Sequence, residues 1–170
     1  MKDAVPREHK SHAPASVGCF VLTVSDSKTS ETDTSGSLIR ELLSAAGHRI
    51  TGHAIVKDEP AQVAAVIRSG CAAPSVEAFI LTGGTGITSR DSTYEAIEAL
   101  LDKRLAGFGE LFRMLSYQEI GAAAMLSRAQ GGVVQGRVLF SLPGSPNACR
   151  LALEKLIIPE LPHLIREVKR

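Results

Sequence analysis

The residue types and spacing best suited to chemistry lie in one run, Ile80-Leu81-Thr82-Gly83-Gly84-Thr85-Gly86-Ile87-Thr88-Ser89-Arg90-Asp91-Ser92-Thr93. An apolar segment enters three glycines and a threonine, then reaches an acid beside a helix start. Glycine admits positive φ and lets amide N–H groups approach an anion with no Cβ between them. A helix opening after such a loop adds unpaired N–H groups and its positive dipole end. The run therefore reads as a phosphate cradle with a metal-ligating acid, Asp91, beside it. Ser92 and Glu95 stand at capping-box spacing, which predicts that Ser92 starts the helix.

Two better-known nucleotide motifs do not fit. A P-loop places a lysine directly after its last glycine, and Ile87 follows Gly86. A dinucleotide fingerprint needs a third glycine three residues beyond its second, where this chain has Ser89. A plain strand-to-helix turn would need neither Arg90 nor Asp91. Ser25, His53 and Asp91 can be drawn as a hydrolase triad, but no G-x-S-x-G elbow accompanies them. His48 and His53 have no partner acids at metal-binding spacing and read as surface or core imidazoles.

The elements that must position this loop follow from apolar patterning. Residues 19–24 form a nearly continuous apolar run, as in a strand buried on both faces of a parallel sheet. Further strands are predicted over 49–56, 78–81, 133–135 and 137–142. Leu38, Leu42 and Ala45 mark a first helix closed by Gly47. Pro60 suits the first turn of a second, lined by Val63, Val66 and Ile67. Tyr94, Ile97 and Leu101 mark the helix after the glycine loop, and two more are predicted between 109 and 129, joined near Ile120-Gly121. A helix with Ala148, Leu151, Ala152 and Leu156 is predicted to break at Pro159 before a last one through Leu161, Leu164, Ile165 and Val168.

Alternating strands and helices predict an α/β fold: three αβα layers around an open, mostly parallel, Rossmann-like sheet. Ligands of such sheets sit beyond the carboxyl ends of the strands. Four strand ends carry unusual residues: Ser25 and Asp26, Asp58, 82–91, and Pro143 to Asn147.

Composition narrows the partners. A chain of 170 residues is most economically one domain, predicted over 17–170, with residues 1–16 as a flexible arm lacking the apolar stretch of a secretory signal. Nineteen basic and eighteen acidic residues leave a net charge of +1 with no long run of one sign, so neither nucleic acid nor a membrane surface is expected as a partner. Cys19, Cys71 and Cys149 are far apart and form no C-x-x-C, in keeping with a reducing, cytoplasmic setting.

Several segments together resemble the MoaB/MogA family of molybdenum cofactor biosynthesis, from about residue 18 to the C-terminus. They are Leu22-Thr23-Val24-Ser25-Asp26, Asp33-Thr34-Ser35-Gly36, Ile55-Val56-Lys57-Asp58-Glu59, Leu81-Thr82-Gly83-Gly84-Thr85-Gly86 with Arg90-Asp91, Gly107-Phe108-Gly109-Glu110, Leu126-Ser127-Arg128 and Leu142-Pro143-Gly144-Ser145-Pro146. Residues 108–116 and Glu119-Ile120-Gly121 resemble the MoaB branch in particular.

The resemblance implies a fold of this kind and a role as molybdopterin adenylyltransferase. The terminal phosphate of molybdopterin would attack the α-phosphorus of ATP and release pyrophosphate, with Mg2+ between the two anions. Asp91, then Asp58, would be its catalytic, metal-holding carboxylates. Ser25, Asp26, Thr82, Gly83, Gly84, Thr85, Gly86, Gly144, Ser145 and Asn147 would line the pterin and nucleotide pocket, with Arg90 and Arg128 as candidate phosphate contacts. The family alternative is a noncatalytic molybdopterin-binding or scaffold protein, and resembling proteins form trimers or hexamers. Where many adenylyltransferase members follow the aspartate with valine, threonine and proline, this chain has Ser92-Thr93-Tyr94.

Overall fold

The computed structural model describes residues 14–170; most of the expected arm, 1–13, lies outside the described residues. The described chain begins against the fold, where the Ser16 hydroxyl donates to the Gly47 carbonyl at 2.8 Å and Val17 is fully buried.

The elements in chain order are β1 (Gly18–Val24), α1 (Thr34–Ala45), β2 (Arg49–Val56), α2 (Pro60–Cys71), β3 (Ala78–Thr82), α3 (Thr93–Glu98), β4 (Lys103–Arg104), α4 (Ala106–Ile120), a 3-10 turn (Gly121–Leu126), β5 (Gln130–Val134), β6 (Arg137–Leu142), α5 (Pro146–Ala152), a π turn (Leu153–Ile157) and α6 (Ile158–Val168). Among the described residues six strands form one sheet in the order β2-β1-β3-β6-β5-β4. The first four run parallel, and β5 and β4 add an antiparallel margin. All four parallel strands therefore deliver their carboxyl ends to one edge of the sheet.

Side-chain alternation divides the core between the two faces. Val21, Ile80 and Phe140 point to the side covered by α1, α4 and the C-terminal helices, where they meet Ile39, Leu43, Phe112 and Leu161. Leu22, Leu81 and Leu139 point the other way, to Val63 and Ile67 of α2 and Ile97 of α3. The result is the expected three-layer α/β arrangement with a mixed, mostly parallel sheet. Among the described residues no helix is long and apolar enough to cross a membrane.

Several elements differ from the sequence expectation: β4 has no predicted counterpart, and α3 ends at Glu98, short of Leu101. β5 starts at Gln130 rather than Val133: Gly131 and Gly132 hide it from propensity, yet a Cβ at Gly131 would press on the Phe140 ring and one at Gly132 on the Lys103 carbonyl and Leu101. Pro159 does not break the chain into two helices, because 153–157 take a π turn in which the Ile158 N–H donates to the Leu153 carbonyl. A proline lacks an N–H and crowds the carbonyl four residues back; the wider register just ahead of it accommodates both. The second helix predicted before residue 129 is the 3-10 turn, entered through Gly121 at φ +63°.

Candidate functional site

The strand tips are sewn together mainly by backbone groups. The Gly83 N–H donates to the Leu142 carbonyl at 3.0 Å and the Ser25 N–H to the Val56 carbonyl at 2.8 Å. The Thr82 hydroxyl donates to the Pro143 carbonyl at 3.0 Å, and the Ser35 hydroxyl, from the first turn of α1, donates to the Gly144 carbonyl at 2.8 Å. Gly83 and Gly84 then turn through φ +102° and +65°, a region L-residues avoid. A Cβ at Gly83 would overlap the Val24 carbonyl, and one at Gly84 would overlap Thr93 and Asp58. Close approach thus requires glycine at both positions.

These glycines lie beside the β6–α5 turn, and together they line a cavity of about 480 Å³. Three groups of residues form its wall: 83–86 with Asp91, then Pro143, Gly144 and Ser145 next to them, and an apolar third group from Ile120, Ala123, Ala124 and Leu126. The amide N–H groups of Gly84 and Thr85 find no acceptor among the described residues. Uncommitted amides on a left-handed glycine turn suit an anion.

The two predicted metal acids occupy different surroundings. Asp91 belongs to the cavity wall. One of its oxygens accepts from the Thr88 N–H at 3.0 Å and from the Thr88 hydroxyl at 2.5 Å. The Thr88 hydroxyl above all, then the Thr88 and Gly86 amides, holds its carboxyl below the ordinary value. Asp58 is buried and is not part of that wall. Its Oδ1 accepts from the Ser92 N–H at 3.2 Å, the Ser92 hydroxyl at 2.9 Å and the Thr93 hydroxyl at 3.1 Å, so it caps α3 from the end of β2, two strands away. Ser92 therefore makes no side-chain cap of its own, and the capping box expected from its spacing with Glu95 does not form.

The remaining candidates divide between wall and support. Ser145 lines the cavity while its hydroxyl accepts from the Ala148 N–H at 3.2 Å as the N-cap of α5; Asn147 is exposed and outside the wall. Thr82 is buried behind the glycines, its hydroxyl 3.2 Å from Cys149 Sγ, and burial pushes that thiol up to about 11. The Ser25 hydroxyl accepts from the Lys28 N–H at 3.2 Å. Asp26 accepts the Asp58 N–H at 3.2 Å and the Arg90 Nε at 2.8 Å; chiefly through Arg90, its carboxyl lies below the ordinary range. Arg90 also reaches Glu59 at 2.8 Å, and Arg128 donates to the Thr85 and Asp91 carbonyls at 3.2 and 3.3 Å. Both arginines are occupied by protein acceptors.

Sequence reading did not identify the apolar wall, Thr88 or Thr93. The first two carry no local signal, because a 3-10 turn from another part of the chain supplies the wall and Thr88 matters only through Asp91. Ser35 was within reach, since it lies in the Asp33-Thr34-Ser35-Gly36 segment.

Sheet topology and site together define a three-layer α/β protein with an anion-receptive, partly apolar cavity at its strand tips. The family described as "Probable molybdopterin binding domain" matches residues 20–163. The chain is 52% identical over 164 residues to the molybdenum cofactor biosynthesis protein B of Bacillus cereus, covering 96% of this chain and 97% of that one. A crystal structure of a molybdenum cofactor biosynthesis protein B aligns with TM-score 0.90 at 52% identity over 93% of this chain and 99% of that one. The tungsten cofactor synthesizing protein MoaB of Pyrococcus furiosus aligns with TM-score 0.83 at 39% identity over 93% and 100%. This chain belongs to the MoaB/MogA family of molybdenum cofactor biosynthesis proteins and stands nearest its MoaB branch.

Proposed function

We propose that this protein adenylylates molybdopterin with Mg-ATP in the cavity at the strand tips. The observation that carries the reading is the meeting, in one wall, of two uncommitted amides at Gly84 and Thr85 with the carboxylate of Asp91. The terminal phosphate of molybdopterin attacks the α-phosphorus of ATP. A new P–O bond forms, the bond to the bridging oxygen of the β-phosphate breaks, and pyrophosphate leaves. Such a transfer needs alignment and charge neutralisation and no covalent enzyme intermediate. The glycine amides hold one phosphate, Asp91 supplies an anionic oxygen for the cation, and Ile120, Ala124 and Leu126 offer the ring system an apolar face.

Among the described residues no group of three acids, histidines or cysteines forms a metal cage. That suits magnesium, which takes one or two carboxylates and completes its shell with phosphate oxygens and water. Bound there, the ion would neutralise charge on the phosphates. Asp58, in this reading, supports the site by capping α3 behind Gly84. We also propose a cytoplasmic homo-oligomer, trimer or hexamer; the exposed Leu111, Met114, Tyr117 and Met125 support self-association.

The commitment of Asp58 to α3 favours a second reading, a molybdopterin binder or scaffold without turnover. Incubation with ATP, magnesium and molybdopterin separates the two, with adenylylated molybdopterin and pyrophosphate as the expected products. No product, under conditions in which an established adenylyltransferase makes it, overturns the enzymatic reading. Pterin affinity surviving Asp91→Asn would then favour the binder.

A further inference from the structure

We propose that Arg128 is a positioning residue for the 83–91 loop and not a contact for substrate phosphate; its effect on turnover rests on the adenylyl-transfer reading, its effect on the loop does not. The side chain arrives from the segment after the 3-10 turn and is three-quarters buried. Its Nε donates to the Thr85 carbonyl at 3.2 Å and its Nη2 to the Asp91 carbonyl at 3.3 Å, so one planar fork ties the two ends of the loop together. Nη1 pairs with Glu95, and the guanidinium lies 4.9 Å over the Tyr94 ring. Tyr94 and Glu95 both belong to α3, and the loop is thereby tied to that helix.

The contact with Thr85 reaches the reactive carboxylate. In a trans peptide the C=O and N–H point in opposite directions. With the Thr85 carbonyl held by Arg128, the Gly86 N–H is directed the other way, where it meets the Asp91 carboxylate. The Thr85–Gly86 peptide is clamped between Arg128 on one side and Asp91 on the other. Lysine, a point charge on a flexible stem, cannot serve two carbonyls and stack on a ring at once.

Arg128→Lys and Arg128→Ala, compared by amide hydrogen exchange over 84–92 and by adenylylation kinetics, test this. Both variants are expected to exchange faster in that segment. Both should lose roughly ten- to hundredfold in kcat, the usual cost of losing an orienting partner, while KM for ATP stays near the parent value. Unchanged exchange in both variants overturns the proposal. So does restoration of turnover by lysine while alanine raises KM, because that pattern belongs to a direct charge contact. If the parent makes no product, the adenylyl-transfer reading fails alone and exchange still decides the role of Arg128. Should Arg128→Ala not fold, Arg128→Lys carries the measurement.

Discussion

The ends of β2 and β3 each lead through an aspartate toward a helix, Asp58 ahead of α2 and Asp91 ahead of α3, and the two carboxylates meet different surroundings. Asp58 is buried and takes three hydrogen bonds from Ser92 and Thr93, residues more than thirty positions away. Asp91 takes its bonds from Thr88 and Gly86, inside its own loop, and borders the cavity. One acid joins two strand ends; the other shapes one loop and leaves room beside it. Gly84 separates them, since the space a Cβ would need there is held by Asp58 and Thr93. Proximity to a helix start thus says little about what an acid does, whereas the donors that reach it say much.

The sharpest way to break this comparison is to remove each acid in turn. Asp58→Ala strands three donors in a buried place and should cost about 3 kcal/mol, roughly a 10 °C fall in Tm by calorimetry. Asp91→Asn should change Tm far less and abolish magnesium-dependent nucleotide binding by titration calorimetry. Equal losses of Tm would remove the distinction.

A smaller effect separates the cap that forms from the one that does not. Ser92→Ala should cost about 1 kcal/mol in urea unfolding, through one lost hydrogen bond to Asp58. Ser92→Asp should cost more, because it sets a second carboxylate against the first. Were Ser92 an ordinary N-cap, aspartate would replace it almost without loss.

The smallest effect is in pH. The carboxyls of Asp91 and Asp26 lie below their ordinary value of 3.8 in the folded protein. Their contribution to stability is therefore present above that value and lost as pH falls through the lower folded-state one. Urea midpoints taken from about pH 5 down to about pH 3 should drop more steeply in the parent than in Asp91→Asn.

The glycine loop and the strands flanking it were legible because each is written in consecutive residues. Cys19-Phe20-Val21-Leu22-Thr23-Val24 needs no distant partner to read as a buried strand. The start of β5 was not legible, since Gly131 and Gly132 have low strand propensity and fit only because Phe140 and Lys103 lie over them. Pro159 reads as a stop and is passed by a π turn. Ser92 reads as a cap and becomes a donor to Asp58. Each of these turns on a hydrogen bond or contact that local pattern does not contain.

By itself the chain determined its family, its α/β class and the presence of a phosphate-suited glycine turn, because these depend on residue type and short-range order. Tertiary structure alone decided that Asp91 borders the cavity while Asp58 sits behind it, that Arg90 and Arg128 are taken up by protein acceptors, and that an apolar turn closes the third wall. The physical reason is that a side chain's role is set by which partners reach it first, and here those partners come from strand ends far apart in sequence.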